Sequence, residues 1–155
     1  MEGALRGFAD ALLRAAEDGC STGAGRGGAR CRDALCRVAA YHDALARTDF
    51  QGVAAALSPR VEIECFGIHL PGFTRLARGL DAAVELLRSN EAAMHWLAIQ
   101  LESATTLGET LILFRHERGR FAETEHDAFV VSHYLLENAL IARIRARAFV
   151  TRPPA

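Results

Sequence analysis

The sequence predicts a single α+β domain, with helices in its first two thirds and long strands in its last third. The chain has 155 residues, a length that suits one domain with a sizeable core. Half of the residues are hydrophobic and 24% are charged, as in ordinary globular proteins. Apolar residues recur at three- and four-residue spacing early in the chain and alternate with polar residues after His95.

The first 30 residues are predicted to be an N-terminal helix followed by a glycine-rich linker. Residues 3–17 have apolar positions at helical spacing, and residues 19–28 contain five glycines among small residues. The helix either packs on the domain, serves a partner or is a mobile leader. Residues 31–150 are predicted to form the main domain, and residues 151–155 a frayed tail.

Three further helices are predicted before the strand-rich region. The spans are Arg32–Thr48, Phe50–Leu57 and about Leu80–Ala93. Asp49 can cap the short second one, because its side-chain oxygen can accept from the first free backbone N–H groups. Pro59 prevents that helix from continuing.

Strands are predicted from strict alternation. The segment VEIECF at Val61–Phe66 alternates apolar and acidic residues, so Ile63 and Cys65 are expected to point inward. A loop is expected over Gly67–Gly79, and a hairpin turn at Arg118-Gly119-Arg120. The four long antiparallel strands are His95–Leu107, Thr110–Glu117, Glu125–Leu136 and Leu140–Phe149.

The charge and cysteine content exclude several classes of function. The net charge of −1 gives no field that favours nucleic acid or an anionic membrane surface. All 18 basic residues are arginine, which excludes Schiff-base chemistry on lysine. No apolar run reaches the roughly 20 residues of a membrane helix, and charges among the first 16 residues argue against a signal peptide. The four cysteines form no CxxC pair, so we expect thiols in a reducing cytoplasm and no bound metal.

A group of histidines and carboxylates flanks the predicted hairpin turn. Antiparallel pairing about Gly119 predicts that His116 and Glu123 lie close together. A carboxylate–histidine metal site is one interpretation, and a solvated hairpin end is the other, which the lack of a helical His-x-x-x-His pair favours. The group consists of His116, Glu117, Glu123, Glu125 and His126.

Three segments carry a resemblance to a known superfamily: AAYHDALARTDFQGVAAALSPRVEIECFG, RGLDAAVELLRSN and LLENALIARIRARAF. Their order resembles the nuclear transport factor 2-like superfamily, in its SnoaL-like, ketosteroid isomerase-like and scytalone dehydratase-like branch. The resemblance implies a cone-shaped α+β barrel, in which a strongly curved antiparallel sheet wraps around helices and encloses an apolar pocket. It also implies a hydrophobic small-molecule substrate, no cofactor, and a homodimer formed through the outer face of the sheet.

The resemblance assigns a role to one position and shows that catalytic residues of the family are missing at two others. Tyr41 matches a tyrosine that stabilises an oxyanion in ketosteroid isomerase-like enzymes, although a tyrosine on a helix also serves to anchor a core. Cys65 falls where those enzymes carry an aspartate base, and Val131 falls where they carry a protonated acid. The steroid-isomerase mechanism is therefore not expected here, and Cys65 is expected to be a small core residue.

His95 and Asp127 are the predicted proton-transfer residues. His95 lies where scytalone dehydratase-like proteins carry a histidine, and alternation is expected to turn it inward and Trp96 outward. Asp127 shares strand parity with His133, so an inward face would place a carboxylate beside a histidine. A hydrogen-bonded core position for His95 and a rim position for Asp127 are the alternatives. The residues expected to line the pocket are Ile63, Cys65, Phe66, Leu97, Ile99, Phe129, Val131 and His133.

The resulting hypothesis is a cofactor-independent lyase, isomerase or cyclase for a hydrophobic, oxygenated molecule of polyketide or terpenoid type, in bacterial secondary metabolism. His95 would act as acid or base, Asp127 would orient it or share its proton, and Tyr41 would polarise a carbonyl group. The alternative is a non-catalytic ligand-binding or dimerisation module of the same fold. An epoxide hydrolase-like enzyme would need an Asp-Arg-Asp set that activates water, and the sequence does not reveal one.

Overall fold

The computed structural model describes residues 2–18 and 26–150. In these residues the chain forms four helices and one six-stranded sheet. In chain order the elements are α1 (Glu2–Glu17), α2 (Arg26–Ala46), α3 (Phe50–Ala56), β1 (Leu57–Phe66), β2 (Leu76–Arg78), α4 (Leu80–Ala93), β3 (Met94–Leu107), β4 (Thr110–Phe121), β5 (Thr124–Glu137) and β6 (Leu140–Val150).

The sheet has the strand order β2-β1-β6-β5-β4-β3 and is open within the described residues. Its neighbouring strands are antiparallel except β1 and β6, which run parallel, with Ile63 opposite Ile144. The predicted α+β class and the cone-like arrangement of sheet and helices are confirmed, but the sheet is mixed rather than wholly antiparallel. The parallel pair is possible because α4 and four strands separate β1 from β6 in the chain, so no tight turn connects them.

The main core lies between the helices and the inner face of the sheet. Phe8 and Leu12 of α1 are fully buried in it, together with Leu35 and Val38 of α2. Complete burial of each such side chain contributes roughly 1.5–3 kcal/mol. The first helix therefore packs on the domain, which is one of the three possibilities left open for it.

The hairpin between β4 and β5 differs from its prediction. Strand β4 continues through Gly119 to Phe121, and the turn lies at Ala122 and Glu123. A Cβ atom on Gly119 would lie 2.6 Å from the carbonyl oxygen of His95. The glycine thus permits close approach of β3 and does not mark a turn. As a result His116 pairs with Phe129 instead of lying beside Glu123.

Two other boundaries also differ. Helix α2 begins at Arg26, so the last part of the predicted linker is helical, while residues 19–25 of that linker and the tail at 151–155 lie outside the described residues. The predicted loop 67–79 contains the short strand β2, in which Ala77 pairs with Ile63. By contrast, α4 has the predicted bounds, and the four long strands are present near their predicted positions.

The cysteines do not all follow the prediction. Cys31 is disulfide-bonded, whereas Cys36 and Cys65 are free thiols. The expectation of thiols throughout is therefore wrong for Cys31, and Cys20 lies outside the described residues. Among the described helices, none has the length and apolar character that a membrane span requires.

Candidate functional site

A cavity of about 120 Å³ lies between the helices and the inner face of the sheet. Its walls are mostly apolar, as in most small-molecule sites, and helices α1, α2 and α4 close it on the side opposite the sheet. Small residues on β5 and β6, Ser132 and Ala146, leave space at its floor. Apolar residues in the wall include Leu5, Phe8, Leu45, Ile63, Leu86, Ile99 and Ile144.

A buried polar network forms one side of the cavity. The Arg115 Nε donates to Glu117 Oε2 at 2.9 Å, and its Nη1 donates to the Ser132 hydroxyl. The His126 Nε2 donates to the other Glu117 oxygen, Oε1, at 2.9 Å. Arg115 and Glu117 are neighbours on one face of β4 because strand residues two apart point the same way. Each oxygen of Glu117 therefore has its own donor.

Electrostatic contacts keep this network ionised. Burial raises the pKa of Glu117, but the charge of Arg115 and the hydrogen bond and charge of His126 outweigh burial and lower it to about 2. Burial lowers the pKa of Arg115, and the Glu117 carboxylate raises it above its usual value. Both partners stay charged at neutral pH, and the arginine presents a fixed positive charge to the cavity.

An aromatic cluster adjoins the network. His42 Nε2 and the Tyr134 hydroxyl share a hydrogen bond of 3.0 Å. The Tyr41 and His42 rings pack edge-on, with 4.9 Å between their centroids. Burial, followed by the charge of Arg115, lowers the pKa of His42 to about 3, so its imidazole is neutral. Burial raises the pKa of Tyr41 and of Tyr134, so both phenols keep their protons. Protonated phenols beside an arginine can stabilise negative charge on a ligand oxygen.

A second carboxyl group, Glu91 of α4, lies in the same cavity. The Trp96 indole N–H donates to Glu91 Oε2 at 3.1 Å. Burial raises the pKa of Glu91 to about 7, against the smaller lowering effect of the Trp96 hydrogen bond. Glu91 can therefore give or take a proton near neutral pH, which the ionised Glu117 cannot do.

Four of the residues predicted from the sequence line this cavity: Tyr41, Ile63, Cys65 and Ile99. Tyr41 is 3% exposed and belongs to the main core as well, so both interpretations of this tyrosine have structural support. Burial raises the pKa of Cys65 to about 11, which keeps its sulfur as a thiol. Cys65 therefore contributes an apolar surface to the wall, as expected for a small core residue.

The predicted orientation of His95 is wrong. His95 is exposed, Leu97 is 62% exposed, and neither lines the cavity. Trp96, which was expected to face outward, lines the cavity instead. The pairing of β3 with β4 shifts register between Trp96 and Ala98, and a bulge of this kind breaks the alternation on which the prediction relied.

The predicted inward face of β5 is also wrong. Asp127, Phe129, Val131 and His133 lie on the outer face of the sheet, whereas the intervening residues point into the core. Asp127 does bind a histidine, but the donor is His116 Nε2 of β4, at 2.7 Å. Phe66 is likewise outside the cavity and is 49% exposed, because it has the parity of the outward Glu62 and Glu64 on β1.

Five polar residues that line the cavity were not predicted from the sequence to do so: Glu91, Arg115, Glu117, His126 and His42. A signal for two of them exists, because Leu111 and Leu113 share strand parity with Arg115 and Glu117. An apolar inward face that continues into an Arg-x-Glu pair predicts a buried ion pair. Among the described residues, no group of three or more histidine, cysteine, aspartate and glutamate side chains is arranged to hold a metal ion.

Comparison of the structure with solved structures finds similar folds at low sequence identity. An LEH-like epoxide hydrolase from M. tuberculosis is 20% identical, with a TM-score of 0.61 over 76% of this chain and 83% of the other. A nuclear transport factor 2-like protein from Burkholderia xenovorans is 17% identical, with a TM-score of 0.66 over 77% and 91%. A putative polyketide cyclase from Sinorhizobium meliloti is 17% identical, with a TM-score of 0.58 over 71% and 92%.

The comparisons by sequence add no relative. No protein-family model matches the chain, and no curated protein matches it significantly. Identities of 20% and below support a shared architecture and do not establish a shared activity. The chain thus has the nuclear transport factor 2-like fold. The solved structures with a similar fold also include a putative polyketide cyclase and a putative ketosteroid isomerase.

Proposed function

We propose that the protein is a cofactor-independent enzyme that transfers protons on a hydrophobic, oxygenated small molecule, as a lyase, isomerase or cyclase. One observation carries the proposal: two carboxyl groups share one apolar cavity and have pKa values displaced in opposite directions. The pKa of Glu117 is lowered to about 2, and the pKa of Glu91 is raised to about 7. Such a divergence separates a permanently charged group from one that exchanges protons near neutral pH.

In this proposal Glu91 is the general acid or base. Arg115, with the Tyr134 and Tyr41 hydroxyl groups, stabilises negative charge that develops on a carbonyl or ether oxygen of the substrate. Glu117 positions Arg115 through the 2.9 Å bond to its Nε, and His126 positions Glu117 in turn. All six side chains line one cavity, so a single substrate can contact the first four.

The substrate class follows from the wall of the cavity. Its apolar lining favours a hydrophobic molecule, and its phenols and arginine favour one that carries oxygen. A polyketide- or terpenoid-like substrate from bacterial secondary metabolism meets both requirements. The structural similarity to a putative polyketide cyclase and to an epoxide hydrolase is compatible with this class. The catalytic roles of His95 and Asp127 and a cytoplasmic location stay predictions, and the geometry of the cavity supports neither catalytic role.

A non-catalytic ligand-binding module is the second candidate, and one observation favours it. Both oxygens of Glu117 are already occupied by donors of the protein, so the buried ion pair is complete without a ligand. A network that is satisfied internally can serve to hold the sheet in shape around a passive cavity. In that case Glu91 would adjust the charge of the cavity without transferring protons to a ligand.

Proton exchange on a ketone distinguishes the two candidates. The protein is incubated in D₂O with a panel of hydrophobic cyclic ketones, and NMR follows deuterium incorporation next to the carbonyl group. The proposal expects exchange on at least one ketone, with a pH dependence centred near 7 and a loss of about 10²-fold or more in Glu91→Gln. Glu85→Gln, an exposed position on the same helix, is the control and should retain the wild-type rate.

The outcomes separate cleanly. A wild-type protein that binds a ketone without exchanging its protons supports the binding module. Exchange that persists unchanged in Glu91→Gln contradicts the assignment of Glu91.

We also propose a homodimer through the outer face of the sheet, where Phe114 stacks on Phe129 and Phe149 is 53% exposed. An exposed aromatic surface of this kind is typical of a protein interface.

A further inference from the structure

A groove of about 650 Å³ opens beside the cavity. It is lined by residues of α1, of the junction between α2 and α3, and of α4. Leu5, Leu45 and Glu91 line both the groove and the cavity, so the two spaces adjoin at these three residues.

The groove carries three arginines, in contrast to the apolar cavity. Arg6 of α1, Arg47 after α2 and Arg88 of α4 all line it. Glu91 is the one acidic residue among the described residues of the lining. Guanidinium groups on three separate elements of one groove wall favour the approach of an anion.

Two of these arginines are held in ways that leave them able to bind a ligand. Arg47 pairs with Asp43 at 3.0 Å and Arg88 pairs with Glu85 at 3.3 Å, one turn along the same stretch of chain. All four side chains are between 42% and 67% exposed, and exposed pairs of this type are weak. The Arg88 guanidinium also lies 5.0 Å from the centre of the Phe50 ring, which fixes its position at the groove wall.

We propose that the groove binds the anionic end of an amphiphilic ligand, a carboxylate or a phosphate, while the apolar part of that ligand occupies the cavity. Guanidinium groups bind both anions through paired hydrogen bonds. The proposal rests on the proposed function only in naming the substrate class. It concerns binding, so its test does not require turnover.

A pair of fluorescent probes tests the proposal directly. The anion 8-anilinonaphthalene-1-sulfonate and the neutral N-phenyl-1-naphthylamine share an arylamine framework and differ in the sulfonate group. Each is titrated into the full chain and into the double variant Arg47→Gln/Arg88→Gln. We expect the anionic probe to bind the double variant at least tenfold more weakly at low salt, and the neutral probe to bind both proteins within twofold.

The chain offers a matched control. Arg37 pairs with Asp33 four residues away and Arg120 pairs with Glu123 three residues away, and both arginines lie outside the groove. The double variant Arg37→Gln/Arg120→Gln therefore removes the same charge and the same kinds of ion pair. It should bind both probes as the wild type does.

Three results of the probe titrations would overturn the proposal: no binding of the anionic probe to the wild type, undiminished binding to Arg47→Gln/Arg88→Gln, or equal weakening of both probes. Displacement of the anionic probe then distinguishes the two anion classes. Decanoate or decyl phosphate should displace it at concentrations at least tenfold lower than decanol, and the better of the two identifies the headgroup. Decanol that competes equally well also refutes the proposal.

The two proposals can fail independently. A negative result for anion binding in the groove does not contradict ketone exchange by Glu91, and a lack of ketone exchange does not contradict anion binding in the groove.

Discussion

Substitution of Glu117 by glutamine tests the central electrostatic feature of the cavity. The Arg115 and Glu117 side chains are 12% and 6% exposed, and their charged atoms lie 2.9 Å apart. Glutamine keeps the size of the side chain but leaves the arginine charge without its buried counter-charge. Breaking a buried pair in this way costs about 3–5 kcal/mol. With a urea dependence of about 1–3 kcal/mol/M, the unfolding midpoint of Glu117→Gln should fall by about 1 M or more.

Two comparisons make this prediction specific to the buried pair. Asp33→Asn breaks the exposed pair with Arg37 and should change the unfolding free energy by no more than about 0.5 kcal/mol. Adding Arg115→Met to Glu117→Gln removes both charges, so the double variant should be more stable than Glu117→Gln alone. The reasoning is refuted if Glu117→Gln loses less than about 1 kcal/mol, or if the two substitutions simply add.

Two more predictions concern acid stability and oligomeric state. The folded pKa of His42 lies at about 3, below 6.5, so the neutral imidazole favours the folded state fully above pH 6.5 and this contribution is lost as the pH falls toward 3. The free energy of unfolding, measured with urea between pH 4 and 6.5, should rise with pH less steeply in His42→Gln than in the wild type, by up to about 1.4 kcal/mol per pH unit. Equal slopes in the two proteins would contradict the assignment. In sedimentation velocity we expect a dimer for the wild type and a monomer for Phe114→Glu, which places a charge on the outer aromatic surface; a monomeric wild type would refute the dimer.

The order of secondary structure was readable from the sequence because most elements are amphipathic. Helix α4 has a regular apolar stripe, and both of its ends match the prediction. The long strands alternate over ten or more residues, a stronger signal than any single turn. The prediction of a turn at Gly119 was wrong because glycine permits both a turn and the close approach of two backbones. Only the neighbouring strand, absent from local sequence, decides between them.

Side-chain orientation was less accessible than strand position. On β5 the two faces are chemically alike, since Val130 points inward and Val131 outward, and a histidine occurs on each side. The outer surface carries aromatic residues, so the usual contrast between an apolar inner face and a polar outer face is lost. On β3 the register shifts make parity unreliable over any long stretch. Because of this, only four of the eleven predicted site residues line the cavity, and none of the four exchanges protons near neutral pH.

The divergent behaviour of the two cavity carboxyl groups has one structural origin. Burial is the largest cause acting on Glu91 and on Glu117, and in both it raises the pKa. The difference is the position of Arg115, which lies two residues from Glu117 on the same strand face and bonds it directly, whereas its charge is the weakest of the effects on Glu91. An Arg-x-Glu pair on an inward strand face thus fixes one carboxyl group as an ion, whereas burial remains the largest effect on the pKa of the other. In the proposed mechanism, the carboxyl group that exchanges protons near neutral pH is therefore the one that the arginine influences least.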